Sequence, residues 1–225
     1  MRIAMVGTGY VGLVSGACFA EFGAEVICLD KDLKKIQALR SGGIPIFEPT
    51  LDELIKRNSS QGRLSFTTDF RSLHGDFNAI FFCVGTPPGR NGEASDLSTL
   101  WEAVEQVVAA VDRPTLLVLK STVPVGTTRR VKRLVKSLRP QFKFSFASNP
   151  EFLREGSAVH DFLNPERVVI GVEEDHSSQI LQRLYEPLNQ KKIPFVITSP
   201  ESSELIKYAA NAFLALKISF INEIA

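Results

Sequence analysis

The residues with the clearest chemical meaning open the chain. Gly7-Thr8-Gly9-Tyr10-Val11-Gly12 follows a short β-rich run and begins a helix-forming stretch, and Asp30 closes the next β-rich run. In such a context Gly7 permits a tight turn, Gly9 lets backbone approach a pyrophosphate, and Gly12 allows close helix–strand packing. The free N–H groups and dipole of the helix N-terminus favour phosphate. A carboxylate at Asp30 can accept hydrogen bonds from an adenosine ribose and repels a 2′-phosphate, which favours NAD over NADP. Lys31, directly beside it, blurs that preference. A glycine-rich turn without a ligand would show the same spacing, but the strand, turn, helix, strand and acid in sequence favour the dinucleotide reading.

Three further segments place reactive side chains near strand ends, and a fourth places them on a helix. Thr86 lies in Val84-Gly85-Thr86-Pro87 and Thr122 in the segment from Lys120 to Thr128, so either hydroxyl can bond a cofactor or position a water. Thr127 and Thr128 read instead as helix caps. Asn149-Pro150-Glu151-Phe152-Leu153-Arg154-Glu155-Gly156 gathers two carboxylates and a guanidinium. Glu151 or Glu155 can act as acid/base or bond a sugar hydroxyl; acidic residues at a helix N-terminus would look the same. Lys207 and Asn211 share one helix face, either as a polar pair at a site or as a snorkelling Lys beside a solvated Asn. Cys18, Cys28 and Cys83 are too few for a disulfide framework and read as core, with Cys83 nearest the nucleotide crevice. No metal-ligand spacing occurs, and no metal is expected.

These residues need a scaffold, and the chain supplies one by alternation. Strand-like runs at 2–6, 25–29, 64–67, 79–84, 115–120, 143–147, 167–172 and 194–197 are separated by amphipathic segments such as 32–40, 51–57, 99–111, 127–138 and 177–188. The pattern predicts an α/β fold, a Rossmann-like doubly wound sheet, mostly parallel, over residues 1–198. Runs such as Ile80-Phe81-Phe82-Cys83-Val84 suit central strands buried on both faces. Residues 199–225 then predict one long helix, with Ser199 as cap and Pro200 in its first turn. The turn-rich stretch 87–92 reads as an exposed excursion. Arg129, Arg130, Lys132, Arg133, Lys136 and Arg139 fall opposite the apolar stripe Val131, Leu134, Val135 and Leu138, so they read as a solvated face rather than a nucleic-acid site.

Composition agrees. Of 225 residues, 44% are hydrophobic and 23% charged, with a formal net charge of +1. This excludes a largely disordered chain and argues against dedicated nucleic-acid or membrane-surface binding. No signal-peptide pattern or transmembrane run is present, and a cytoplasmic location is expected.

In these motifs the chain resembles the UDP-glucose 6-dehydrogenase family of nucleotide-sugar dehydrogenases. The matching segments are 7–12, Pro45-Ile46-Phe47-Glu48-Pro49, 84–87, 120–127, 149–156, and Glu204-Leu205-Ile206-Lys207-Tyr208 through Asn222-Glu223. Segment 149–156, followed by 165–171, looks more like the UDP-glucose branch than the GDP-mannose or N-acetylhexosamine branches. The resemblance implies a four-electron oxidation of UDP-glucose to UDP-glucuronate with two NAD⁺. It assigns Thr122 to hold a water, Glu151 as acid/base, and Lys207 with Asn211 as stabilisers of oxyanion-like intermediates. It places Gly7, Gly9, Tyr10, Val11, Gly12, Asp30, Lys35, Thr86, Thr122 and Glu155 around NAD. Glu151, Phe152, Leu153, Arg154, Glu155, Lys207 and Asn211 fall at the substrate. It further implies a homodimer through the C-terminal helix. The family's nucleophilic Cys stands in a Gly-Gly-x-Cys-Phe-Pro-Lys-Asp motif that these 225 residues lack. The expectation is therefore a cofactor half, inactive alone, without the UDP-binding part. The alternatives are another nucleotide-sugar dehydrogenase or a non-catalytic nucleotide-binding module.

Overall fold

Doubly apolar strand segments can only be satisfied between two layers of helices, and the chain builds that sandwich. The computed structural model describes residues 1–89 and 95–225; the turn-rich stretch expected at 87–92 lies in part outside them. The strands are β1 (Arg2–Val6), β2 (Glu25–Leu29), β3 (Leu64–Thr67), β4 (Ala79–Phe82), β5 (Leu116–Leu119), β6 (Ser145–Ser148), β7 (Val168–Val172) and β8 (Phe195–Thr198). Among the described residues they form one sheet in the order β3-β2-β1-β4-β5-β6-β7-β8. All neighbours are parallel except β6 and β7, where Ala147 pairs Val172 and Ser148 pairs Gly171. The order reverses between β1 and β4, and such a switch point leaves a crevice at the carboxyl ends of the strands.

The helices are α1 (Tyr10–Glu21), α2 (Leu33–Arg40), α3 (Leu51–Ser60), α4 (Ser98–Ala110), α5 (Thr127–Leu138), α6 (Ala158–Leu163), α7 (Asp175–Leu184), α8 (Glu186–Gln190) and α9 (Pro200–Ile224). One core packs α1, α3 and α6 on one sheet face, around Phe19, Phe81 and Phe162; the other packs α4 and α5 around Phe82, Leu100 and Val131. Phe19 meets Phe162 edge-on at 5.0 Å and Phe81 at 5.3 Å, a favourable aromatic arrangement.

The sequence pattern misplaces some details. The segment expected as one helix at 177–188 is two, broken at Tyr185, because Pro187 lacks an N–H and disfavours helical backbone before it. Leu138, expected in the buried stripe of α5, is 45% exposed at the helix end, whereas Val131 and Val135 are buried. The basic face of α5 is tied down by other means: Arg129 pairs with Glu201, Lys132 with Glu173, and Arg130 lies over the Trp101 ring. Ser199 caps α9 as expected, its Oγ accepting from the Ser202 N–H.

Candidate active site

The glycine turn joins β1 to α1 at the switch point. Gly7 adopts φ +99°, and a Cβ there would lie 2.7 Å from the Cys83 carbonyl oxygen. A Cβ on Gly12 would meet the Gly7 carbonyl oxygen at 1.9 Å, so only glycine lets α1 start this close to the strand. Around Gly9, by contrast, nothing stands within 4 Å of that direction, leaving backbone open to a ligand. The first N–H groups of α1 have no intrahelical partners, which suits a pyrophosphate. Beside this turn is a cavity of about 240 Å³ lined by Gly7, Gly9, Asp30, Lys35, Cys83 and Gly85, with α4 on its far side.

Asp30 is held at the cavity wall. Its Oδ2 accepts from the Thr8 N–H and hydroxyl, both at 2.8 Å, and from Lys35 Nζ at 3.0 Å; Oδ1 accepts from the Asp32 N–H at 3.0 Å. Burial opposes its ionisation most strongly, but the bonds from Asp32, Thr8 and Lys35 together outweigh it and hold the carboxyl below the usual range. A carboxylate has about four acceptor positions, so Oδ1 retains capacity for a ribose hydroxyl. Glycine cradle, open Gly9, helix N-terminus and ionised Asp30 fit NAD.

Tyr10 and Val11 begin α1. The Tyr10 hydroxyl lies 3.0 Å from Glu48 Oε2 and 2.8 Å from the Arg154 carbonyl, so it is committed to the 151–156 loop. Thr86 and Thr122 are brought together across β4 and β5: the Thr86 hydroxyl donates to the Thr122 carbonyl at 2.7 Å. Neither Thr127 nor Thr128 is the α5 cap. That place belongs to Gly126, while the Thr127 hydroxyl donates to the Pro124 carbonyl and that of Thr128 to Glu204.

At the carboxyl end of β6, Glu151 meets Lys207 of α9, Oε1 to Nζ, at 3.0 Å. Both side chains are nearly buried, at 11% and 6% exposure. Glu151 Oε2 also accepts from the Leu153 N–H at 2.6 Å, which folds the loop back on itself. The Phe152 ring lies 5.3 Å from Lys207 Nζ and 4.6 Å from the Arg167 guanidinium carbon. Leu153 packs against the core. Arg154 forks onto Asp161, and Glu155 is exposed. Asn211, one turn beyond Lys207, is exposed rather than packed beside it.

Two carboxylates not singled out from the sequence hold this site together. Buried Glu48 accepts from the Gly156 and Ala158 N–H groups and so caps α6 from a distance. Buried Glu204 accepts from the Gly126 N–H at 2.5 Å and from the Thr128 N–H and hydroxyl at 2.7 and 2.6 Å, fastening α9 to α5. Glu48 stands inside a quoted motif, but the N–H groups it caps are over a hundred residues away and no local spacing announces them. The three thiols are buried; burial pushes Cys83 up to about 12 and raises Cys18 and Cys28 as well. Among the described residues no group of His, Cys, Asp and Glu is arranged to hold a metal, and no helix is long and apolar enough to cross a membrane. A larger cleft, about 550 Å³, lies at the amino end of β6 around Phe144, away from these residues.

The switch-point crevice, its cradle and Asp30 define a dinucleotide-binding domain of the dehydrogenase type. Residues 1–189 match the NAD binding domain of the UDP-glucose/GDP-mannose dehydrogenase family, and 201–225 match that family's central domain. The chain belongs to this family, whose cofactor here is NAD. It is 49% identical over its whole length to the UDP-glucose 6-dehydrogenase of Rhizobium meliloti, of which it covers 52%. Its fold superposes on a UDP-glucose dehydrogenase of Pyrobaculum islandicum with TM-score 0.92 and 42% identity, covering 99% of this chain and 52% of that one. A GDP-mannose dehydrogenase of Pseudomonas aeruginosa gives TM-score 0.93 at 35% identity, again over 99% and 52%. The chain thus spans about half the length of the relatives it matches.

Proposed function

We propose that these residues form the cofactor half of an enzyme oxidising UDP-glucose to UDP-glucuronate. The observation that carries this is the Glu151–Lys207 pair at the same end of the sheet as the NAD cradle. Identity to UDP-glucose 6-dehydrogenase supports this substrate; the fold agrees as well with a GDP-mannose enzyme, so the branch rests on sequence. The balanced reaction converts the C6 alcohol, one water and two NAD⁺ to a carboxylate, two NADH and three protons.

Bound NAD supplies the hydride acceptor. Glu151 is the acid/base that takes the C6 hydroxyl proton, and Lys207 holds its carboxylate and steadies the oxygen charge that develops as the proton leaves. Asn211 projects from the same helix one turn on and assists. Thr122, at the end of β5, positions a water. The loop Phe152, Leu153, Arg154 and Glu155 contacts the sugar nucleotide, and Glu155 serves the cofactor as well. The second oxidation requires an aldehyde captured by a nucleophile or hydrated, and Cys83 is too buried and too weakly acidic for the first role. Residues 1–198 are the cofactor domain in this reading, and 199–225 the start of a helix that pairs two subunits.

NADH formation tests both parts. The 225-residue chain alone is expected to give no measurable turnover of UDP-glucose. Joined in frame to the remaining half of the Rhizobium meliloti enzyme, it is expected to oxidise UDP-glucose. Lys207→Ala or Glu151→Gln in that fusion should cut kcat by on the order of a hundredfold or more. Turnover by the isolated chain, or an active fusion indifferent to both changes, would overturn the proposal.

A further inference from the structure

Asp30 repels a 2′-phosphate, yet it is flanked by Lys31 and Lys35, the residue type that recruits one. The structure neutralises both. Lys35 Nζ is 3.0 Å from Asp30 Oδ2, and Lys31 Nζ is 3.1 Å from Glu102 Oε2. Glu102 comes from α4, 71 residues along the chain from Lys31, and all four side chains line the cavity beside the glycine turn. Two cations and two anions therefore balance at its mouth.

We propose that Glu102 is a second determinant of NAD over NADP, acting by occupying Lys31. A 2′-phosphate entering here meets two carboxylates and can gain a cation only by breaking an existing pair, Lys35–Asp30 or Lys31–Glu102. A ribose hydroxyl carries no such charge and gains nothing from breaking either. Without Glu102, Lys31 turns from a spent charge into a phosphate ligand, and Asp30 alone must discriminate. Both members of the pair are more than half exposed, at 67% and 58%. Water screens them, so the expected effect is moderate and fades in high salt.

The test is the ratio of NADP to NAD dissociation constants, measured by calorimetry at low salt on the 225-residue chain. Glu102→Gln keeps the side-chain shape and is expected to shift the ratio about fivefold toward NADP. Lys31→Ala in the same background should remove most of that shift. A merely structural role for Glu102 would weaken both cofactors alike and leave the ratio unmoved. A shift below about twofold in Glu102→Gln, or a shift that survives Lys31→Ala intact, would overturn the proposal. Wild-type preference for NAD is a separate measurement, so failure of this assignment is distinguishable from failure of the Asp30 reading.

Discussion

Lys120 is 2% exposed, and among the described residues its amine has no carboxylate at ion-pair distance. It donates instead to the Asn149 Oδ1 at 3.2 Å and lies 3.3 Å from the Tyr185 hydroxyl, just before Glu151 in the fold. Burial lowers its pKa to about 8 from 10.5, against opposing influences from Cys83, Glu151 and Cys18. Between those values the unfolded chain holds a proton that the folded lysine has released, so the contribution of Lys120 to stability rises with pH across the window. Urea unfolding of the parent and of Lys120→Met should show the parent gaining relative to the variant between pH 8 and 10.5; a constant difference would contradict the burial argument. The buried thiols titrate in both proteins and cancel. Asp30 could be singled out from residue type and spacing because its neighbours in sequence frame it, whereas Glu151 and Lys207 became candidates by type and were assigned roles only through the family resemblance. The role of Lys120 could not be singled out, since its chemistry arises from burial beneath Tyr185, 65 residues away.

At the scale of elements, beyond the Glu201–Arg129 and Lys207–Glu151 pairs, α9 is fastened to α5 by one buried carboxylate. Glu204 is 2% exposed and satisfies three donors at the start of α5. Glu204→Ala would leave those donors unpaired in a buried place and should destabilise the chain by about 2–4 kcal/mol, with Glu204→Gln costing less. Thermal unfolding measures this, and a Glu204→Ala variant as stable as the parent would show that α9 docks by other contacts. The same change should disturb Lys207, less than one helical turn further on. The bounds of the helix at 127–138 were legible from its apolar stripe, although the last position of that stripe, Leu138, is exposed. The six-residue α6 was not, being too short to show a period. Its N-terminus is capped by Glu48 from outside the local sequence. Strand positions were legible from their apolar runs, while ends shifted by one or two residues where the ladder stops.

Among the described residues, α9 leaves a large apolar surface uncovered. Phe213, Leu216, Phe220 and Ile224 on α9 are 63–68% exposed, with Leu205, Leu214, Ile218 and Ile221 above half. Apolar area of this extent marks an interaction surface, and we expect the chain to self-associate through α9. Sedimentation at high micromolar concentration should show dimers or larger species, and Phe213→Ser with Phe220→Ser should shift the population toward monomer. A clean wild-type monomer would refute it. The nearly all-round apolar character of 200–225 made this exposure foreseeable, because residues 1–198 can cover only one side.

The glycine turn and Asp30 make this chain an NAD site. Calorimetric titration of NAD into wild-type and Asp30→Ala protein, with NADP in parallel, tests it most directly. One NAD per chain should bind, more tightly than NADP. Asp30→Ala should lose on the order of 1–3 kcal/mol of NAD affinity, through the ribose bonds and the released Thr8 turn. NADP binding as tightly as NAD, or NAD affinity unchanged in Asp30→Ala, would contradict the account.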